Sequence, residues 1–203
     1  MNIRPLFLQT VAIVALVTAA SAHAQTATPT RIRGEIVAVD STTLTVHRRS
    51  GDTVKVSITP DQTIAAVRNI KLADIDKGAF IGTATKAAPG GKLVAMEVLV
   101  FPEAARGTGE GHYDWDLFPG SMMTNANVDT VMKGLNGRTL QLSYKGGTKE
   151  VEVPETTPVV TFAPATRADL IVGKKVFVVA NGVPDALKAA RVVVEKNGVV
   201  PPM

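Results

Sequence analysis

The chain carries the same pattern twice at a spacing of about 95 residues, and that repetition limits the fold to copies of one small unit. Thr43-Leu44-Thr45-Val46 answers to Thr139-Leu140-Gln141-Leu142, with Gly51 opposite Gly147 in the turn that follows. Val54-Lys55-Val56 corresponds to Val151-Glu152-Val153, and Pro60-Asp61-Gln62-Thr63 to Pro154-Glu155-Thr156-Thr157. Asp74-Ile75 matches Asp169-Leu170, Gly78 matches Gly173, and Ala95 and Val98 fall opposite Ala190 and Val193. The offset drifts only slightly, as it does when insertions are confined to turns.

Within each copy the apolar residues alternate, which is the period of a strand with one face in a core. Arg33 to Val39, Thr42 to Arg48 and Thr53 to Ile58 are predicted as a three-strand meander, broken at Asp40-Ser41 and Ser50-Gly51-Asp52. Lys71 to Ile75 reads as one helical turn, and Gly78 to Lys86 and Lys92 to Phe101 as two more strands around Pro89-Gly90-Gly91. The second copy repeats this order from Asn127 to Lys196, with turns at Asn136-Gly137, Lys145-Gly146-Gly147 and Asn181-Gly182. Three meandering strands, a helical turn and a hairpin make the order of an OB-like barrel, a five-stranded Greek key. The expected fold class is therefore all-β: two tandem OB-like barrels, 31–101 and 127–197, with a linker at 102–126, a flexible N-terminus at 25–30 and a tail at 198–203. One ten-stranded sandwich is the competing architecture.

These residues resemble a family of exported bacterial proteins of unknown function that carry tandem OB-like β-barrel units. Gly34, Ile36, Asp40, Thr43 to Val46, Gly51, Val54, Val56, Asp74, Ile75 and Gly78 carry the resemblance in the first copy. Thr139, Leu140, Leu142, Gly147, Val151, Val153, Asp169, Leu170, Gly173 and Val176 carry it in the second, where Gln141 stands in place of the family's Thr. Because these are strand and turn positions, the resemblance implies the fold far more than an activity.

Export is expected from the N-terminus. Arg4 precedes an apolar stretch from Leu6 to Val17, and Ala22-His23-Ala24 offers small residues at the two positions a signal peptidase reads. The apolar run, interrupted by Gln9 and Thr10, is shorter than the roughly 18 residues a spanning helix needs. A signal peptide over residues 1–24, cleaved before Gln25, is thus expected, with no membrane span in the mature chain and a periplasmic or secreted destination. The chain has no cysteine, which excludes lipid anchoring, disulfides and thiolate chemistry. Its net charge is only +4, with Lys and Arg scattered singly or in pairs rather than gathered into a stripe, so nucleic acid is not the expected partner.

Chemistry concentrates in the linker, which holds the single Trp, at 115, in a chain with 4% aromatic residues. Tyr113, Trp115 and Phe118 are expected either to fix the two barrels against each other or to bind a ligand. His112, Asp114 and Asp116, with Glu110 beside them, are the candidate divalent-metal ligands, since alternation on an extended segment puts all three on one face. Phe80, Tyr144 and Phe177 are the aromatic candidates on the strands. No nucleophile elbow, phosphate loop or dinucleotide fingerprint occurs, so catalysis is not expected. The function expected is a non-catalytic binding or scaffold protein of the bacterial envelope, holding a protein or a glycan and needing no cofactor. A periplasmic metal-binding accessory centred on the linker is the alternative.

Overall fold

In the computed structural model, which describes residues 28–134 and 137–202, the regular elements are strands joined by single 3-10 turns. The signal peptide expected over residues 1–24 lies outside the described residues. The first half contributes β1 (Thr30–Val39), β2 (Thr43–Arg48), β3 (Thr53–Ser57), β4 (Ile64–Asn69), β5 (Phe80–Ala87), β6 (Leu93–Ala95) and β7 (Val98–Val100). The second contributes β8 (Gly111–Trp115), β9 (Ser121–Gly134), β10 (Gly137–Tyr144), β11 (Gly147–Val153), β12 (Val159–Pro164), β13 (Lys175–Asn181) and β14 (Leu187–Val194).

Alternation does the local work. In β1, Ile32 and Ile36 are fully buried, while Arg31, Arg33 and Glu35 point to the opposite face. The turn into β2 is closed by Asp40, whose Oδ1 accepts the backbone N–H groups of Thr42 and Thr43, both at 2.8 Å. The matched residues Asp74 and Asp169 also share one role. Asp74 accepts the Lys71 N–H at 3.1 Å and Asp169 the Thr166 N–H at 2.8 Å, each capping the 3-10 turn of its own half.

The strand pairing departs from the expected tandem arrangement. The meander β1–β2–β3 closes not on β5 and β6 but on β13 and β14 of the other half, through β1–β13, β3–β14 and β13–β14. The meander β9–β10–β11 closes in turn on β5 and β6. Each five-strand ring therefore mixes both halves, and 31–101 and 127–197 are repeats of sequence but not separate bodies. The reason lies in two strands absent from the sequence reading, β4 and β12. They pair antiparallel with each other, from Val160↔Asn69 to Pro164↔Ala65. Each also runs parallel to a strand of the ring its own meander belongs to, β4 beside β14 and β12 beside β7. A chain leaving β3 thus stays beside its own ring through β4, where it meets β12 of the other half, and crosses to the other ring between β4 and β5. Pairing also sets the repeat equivalence one residue earlier at its end: Ala95 opposite Thr85 corresponds to Ala189 opposite Ala180, so Val98 corresponds to Val192.

Three apolar cores follow. One ring encloses Ile32, Ile36, Leu44 and Val46 from the first half with Val178 and Val192 from the second. The other encloses Leu140, Leu142 and Val151 with Ile81 and Val98, and receives Leu72 from the 3-10 turn Leu72–Asp74. The third, between the rings, joins Val67, Leu99, Val160, Phe177 and Val193, with Phe101 and Trp115 packed on it. The expected linker is structured: 102–110 holds one 3-10 turn, β8 follows, and β9 already begins at Ser121. Within β9, residues 122–127 pair with β5 on one edge and residues 121–125 with β8 on the other.

Fragments of residues 28–108 and 109–202 are each expected to fail as folded monomers and to regain β-structure on mixing. Alone, the first would leave its share of Ile32, Ile36, Leu44, Val46 and Val56 poorly covered. At about 1.5–3 kcal/mol per buried apolar side chain, that loss rivals the whole stability of a small domain, about 5–15 kcal/mol. Circular dichroism with size-exclusion chromatography decides it, and a cooperatively folded monomeric half would refute the exchange.

Candidate functional site

β8 lies antiparallel on β9 from Gly111↔Asn125 to Trp115↔Ser121, so its side chains alternate between two surroundings. His112 faces outward from the third core. Its Nδ1 is 2.8 Å from Thr124 Oγ1, and its ring stacks on Tyr144 with centroids 6.4 Å apart. Asp114 is exposed. Tyr113 and Trp115 turn the other way, their rings edge to face at 6.3 Å. Phe118 does not join them: it lies in the turn, where Ser121 Oγ, 2.7 Å from the Trp115 carbonyl and 2.8 Å from the Phe118 carbonyl, ties the hairpin end together.

Asp116 follows the end of β8 and turns toward β1, accepting from Arg33 at 2.9 Å and standing 3.6 Å from Arg31. Arg31 in turn lies 4.0 Å from the centre of the Trp115 ring, and Arg33 is held between Trp115 and Phe177. The three residues expected to converge on a metal are therefore drawn apart, His112 to Thr124 and Asp116 to two arginines. Among the described residues no group of three His, Asp or Glu side chains gathers in metal-binding geometry. For His112, burial and the nearby Lys149 hold the imidazole below its ordinary value, against the pull of Asp114.

Behind Tyr113 and Trp115, between the two rings, lies a cavity of about 360 Å³, at the lower end of the size of small-molecule sites. Its walls are largely apolar: Leu99, Phe101, Met123, Phe177 and Val179 close it with the two aromatic residues of β8. Of the strand aromatics singled out in the sequence, Phe177 lines the cavity, Phe80 packs tilted against Phe101 with centroids 5.5 Å apart, and Tyr144 stays with His112. Gly82 makes the room. A Cβ there would come within 2.6 Å of Asn125 Oδ1 and 3.1 Å of the Phe101 ring.

The polar groups of this cavity are few and poorly satisfied. Glu97 lines it at 1% exposure, and its Oε2 has no hydrogen-bond partner among the described residues. Asn125, 7% exposed, donates through Nδ2 to the Thr108 carbonyl at 3.0 Å and to Tyr113 Oη at 3.2 Å, yet its Oδ1 is unpartnered. Trp115 Nε1 and Arg33 Nε are buried without a partner as well. An unmatched buried polar atom costs about 1–3 kcal/mol, and here four such atoms cluster at or beside one cavity. Arg31 and Arg191 are the basic residues of the lining.

Burial pushes the Glu97 carboxyl up to about 7, against the pull of Arg33 and Arg49. Burial likewise raises the Tyr113 hydroxyl, opposed by Arg31. Sequence reasoning located Tyr113, Trp115 and Phe177 but missed Glu97, Asn125 and the arginines of β1 and β14. One signal was available for Glu97. It is the single acid in the run Leu93 to Phe101, where the strand pattern demands burial.

Compared with known protein families, curated proteins and solved structures, the chain matches none.

The raised Glu97 has a signed consequence for stability. Between its ordinary value of 4.5 and about 7 the folded chain keeps a proton that the unfolded chain releases. Stability therefore falls as pH rises through that window, by roughly 3 kcal/mol, and the loss is complete above it. Urea unfolding at pH 5 and pH 8 is expected to show this drop, and Glu97→Gln to remove most of it by stabilising the protein at pH 8. A variant with the same pH slope as the parent would rule Glu97 out as its source.

Proposed function

We propose that this protein is an exported, non-catalytic binding protein of the bacterial envelope, built from OB-like units, that takes a small molecule into the cavity between its two rings. The observation that carries the reading is the coincidence of unpartnered Glu97 and Asn125 oxygens with an apolar, aromatic-walled space. Apolar walls supply affinity while a few polar groups orient the occupant, which is the division of labour in small-molecule sites. A core left empty would instead be expected to collapse around matched or apolar side chains.

The remaining parts of the reading have their own support. The basic, apolar and small-residue succession of residues 1–24 supports export, and among the described residues no helix is long and apolar enough to cross a membrane. A three-strand meander, a 3-10 turn and two closing strands around each core support the OB-like description, with the closing strands exchanged. In this reading β8 does more than connect: it brings Tyr113 and Trp115 to one wall of the site.

Trp115, the only tryptophan, makes the proposal easy to test. The neutral fluorophore N-phenyl-2-naphthylamine is expected to bind with energy transfer from Trp115. Val179→Phe, which narrows one wall, and Gly82→Ala, which displaces the Asn125 side chain, should each weaken binding by about 10-fold or more, equivalent to about 1.4 kcal/mol. Circular dichroism verifies that both variants remain folded. Binding unaltered in both would place the probe elsewhere and remove the cavity as the site.

A further inference from the structure

Resting on that reading of the cavity, a second observation narrows what fits inside. The repeat equivalence set by strand pairing puts Glu97, just before Val98 of β7, and Arg191, just before Val192 of β14, at the same position of the two halves. Both line the one cavity between the rings. A position that symmetry brings twice to a single space thus carries an acid on one side and a base on the other.

The two charges are not spent on each other or on neighbours. Glu97 is within 4.0 Å of no basic nitrogen, and Arg191 of no carboxylate, among the described residues. Arg191 instead lies half-buried with its guanidinium 6.0 Å from the centre of the Phe162 ring. Arg31 and Arg33, by contrast, already share Asp116. Arg191 is therefore the cation of the lining that has a full charge to offer an occupant, and it can present that charge as a fork to two oxygens. Toward Glu97 the demand reverses: the unpartnered Glu97 and Asn125 oxygens call for a donor. The rings of Phe101, Trp115 and Phe177 line the same cavity.

We infer that the occupant is an amphipathic organic anion: a carboxylate or sulfonate held by Arg191, an apolar body of ring size packed on the aromatic walls, and an N–H or O–H donor at the remote end directed to Glu97 and Asn125. The polarity of the cavity fixes the orientation, since the reverse pose sets an anion against Glu97 and a donor against a guanidinium.

Two fluorophores that share an arylaminonaphthalene body with its N–H test this inference: 2-(p-toluidino)naphthalene-6-sulfonate, whose sulfonate is remote from the N–H, and the neutral N-phenyl-2-naphthylamine. Each is titrated into the protein with energy transfer from Trp115 as the signal. The sulfonate is expected to bind at least about 10-fold more tightly, and Arg191→Gln to bring the ratio of the two affinities close to one. Arg31→Gln, whose parent residue is shared with Asp116, should leave most of the preference in place. If both probes bind, both are weakened by Val179→Phe, and they bind equally, the anion inference falls while the cavity stands. If the preference survives Arg191→Gln, the assignment to Arg191 falls. If neither probe binds, the cavity reading fails and takes this inference with it.

Discussion

Everything else in the molecule depends on the antiparallel pairing of β4 with β12. These two short strands stand between the meander and the closing hairpin of each repeat, and their contact joins the two rings at the point from which each chain half crosses to the other. Without that crossing a repeat could close on itself, and two such barrels would meet only along whatever surface they happened to share. With it, the region between the rings becomes a third apolar core, continuous in hydrogen bonding with both. The cavity is a defect in that core, walled by β5, β7, β9, β13 and β14 and lidded by β8.

Placing a cavity there has an electrostatic result. Outward-facing residues of β1 and β14, which in an isolated barrel meet water, are instead enclosed between rings. Arg33 keeps only 9% exposure and is held by Asp116 and two aromatic rings. Glu97 has no comparable partner, so its enclosure raises its proton affinity rather than forming an ion pair. Two charged residues of opposite sign in similar surroundings are treated differently because β8 delivers a carboxylate to one and nothing to the other.

Much of the architecture was legible because strand alternation and turn chemistry are local. Thr43 to Val46, Gly51, Asp74 and their counterparts marked the meanders and the 3-10 turns, and these stand where expected. Topology was not legible, since nothing in the spacing of a hairpin states which meander it closes. That choice rests on Ile64 to Asn69 and Val159 to Pro164, runs too alanine-rich or proline-bounded to read as strands. At the site, aromatic concentration exposed Tyr113 and Trp115. Of the three candidate metal ligands, Asp116 falls one residue past the end of β8, where strand alternation no longer holds and its carboxylate turns to Arg33. Glu97 and Arg191 were invisible as a pair, because the sequence match set Val98 against Val193, one residue off the equivalence that strand pairing gives, and nothing local says that both face one cavity.

The exchange also sets an order of events. The ring containing β9 to β11 has all its strands once Val153 is made, whereas the ring begun by Thr30 waits for β14, which ends at Val194. The earliest strands to be synthesised are thus the last to be sealed, and they stay exposed until almost the whole chain is available. A polypeptide that must pass through a narrow channel before folding gains from such a delay, because the strands that enter first have nothing to close on until the last have followed.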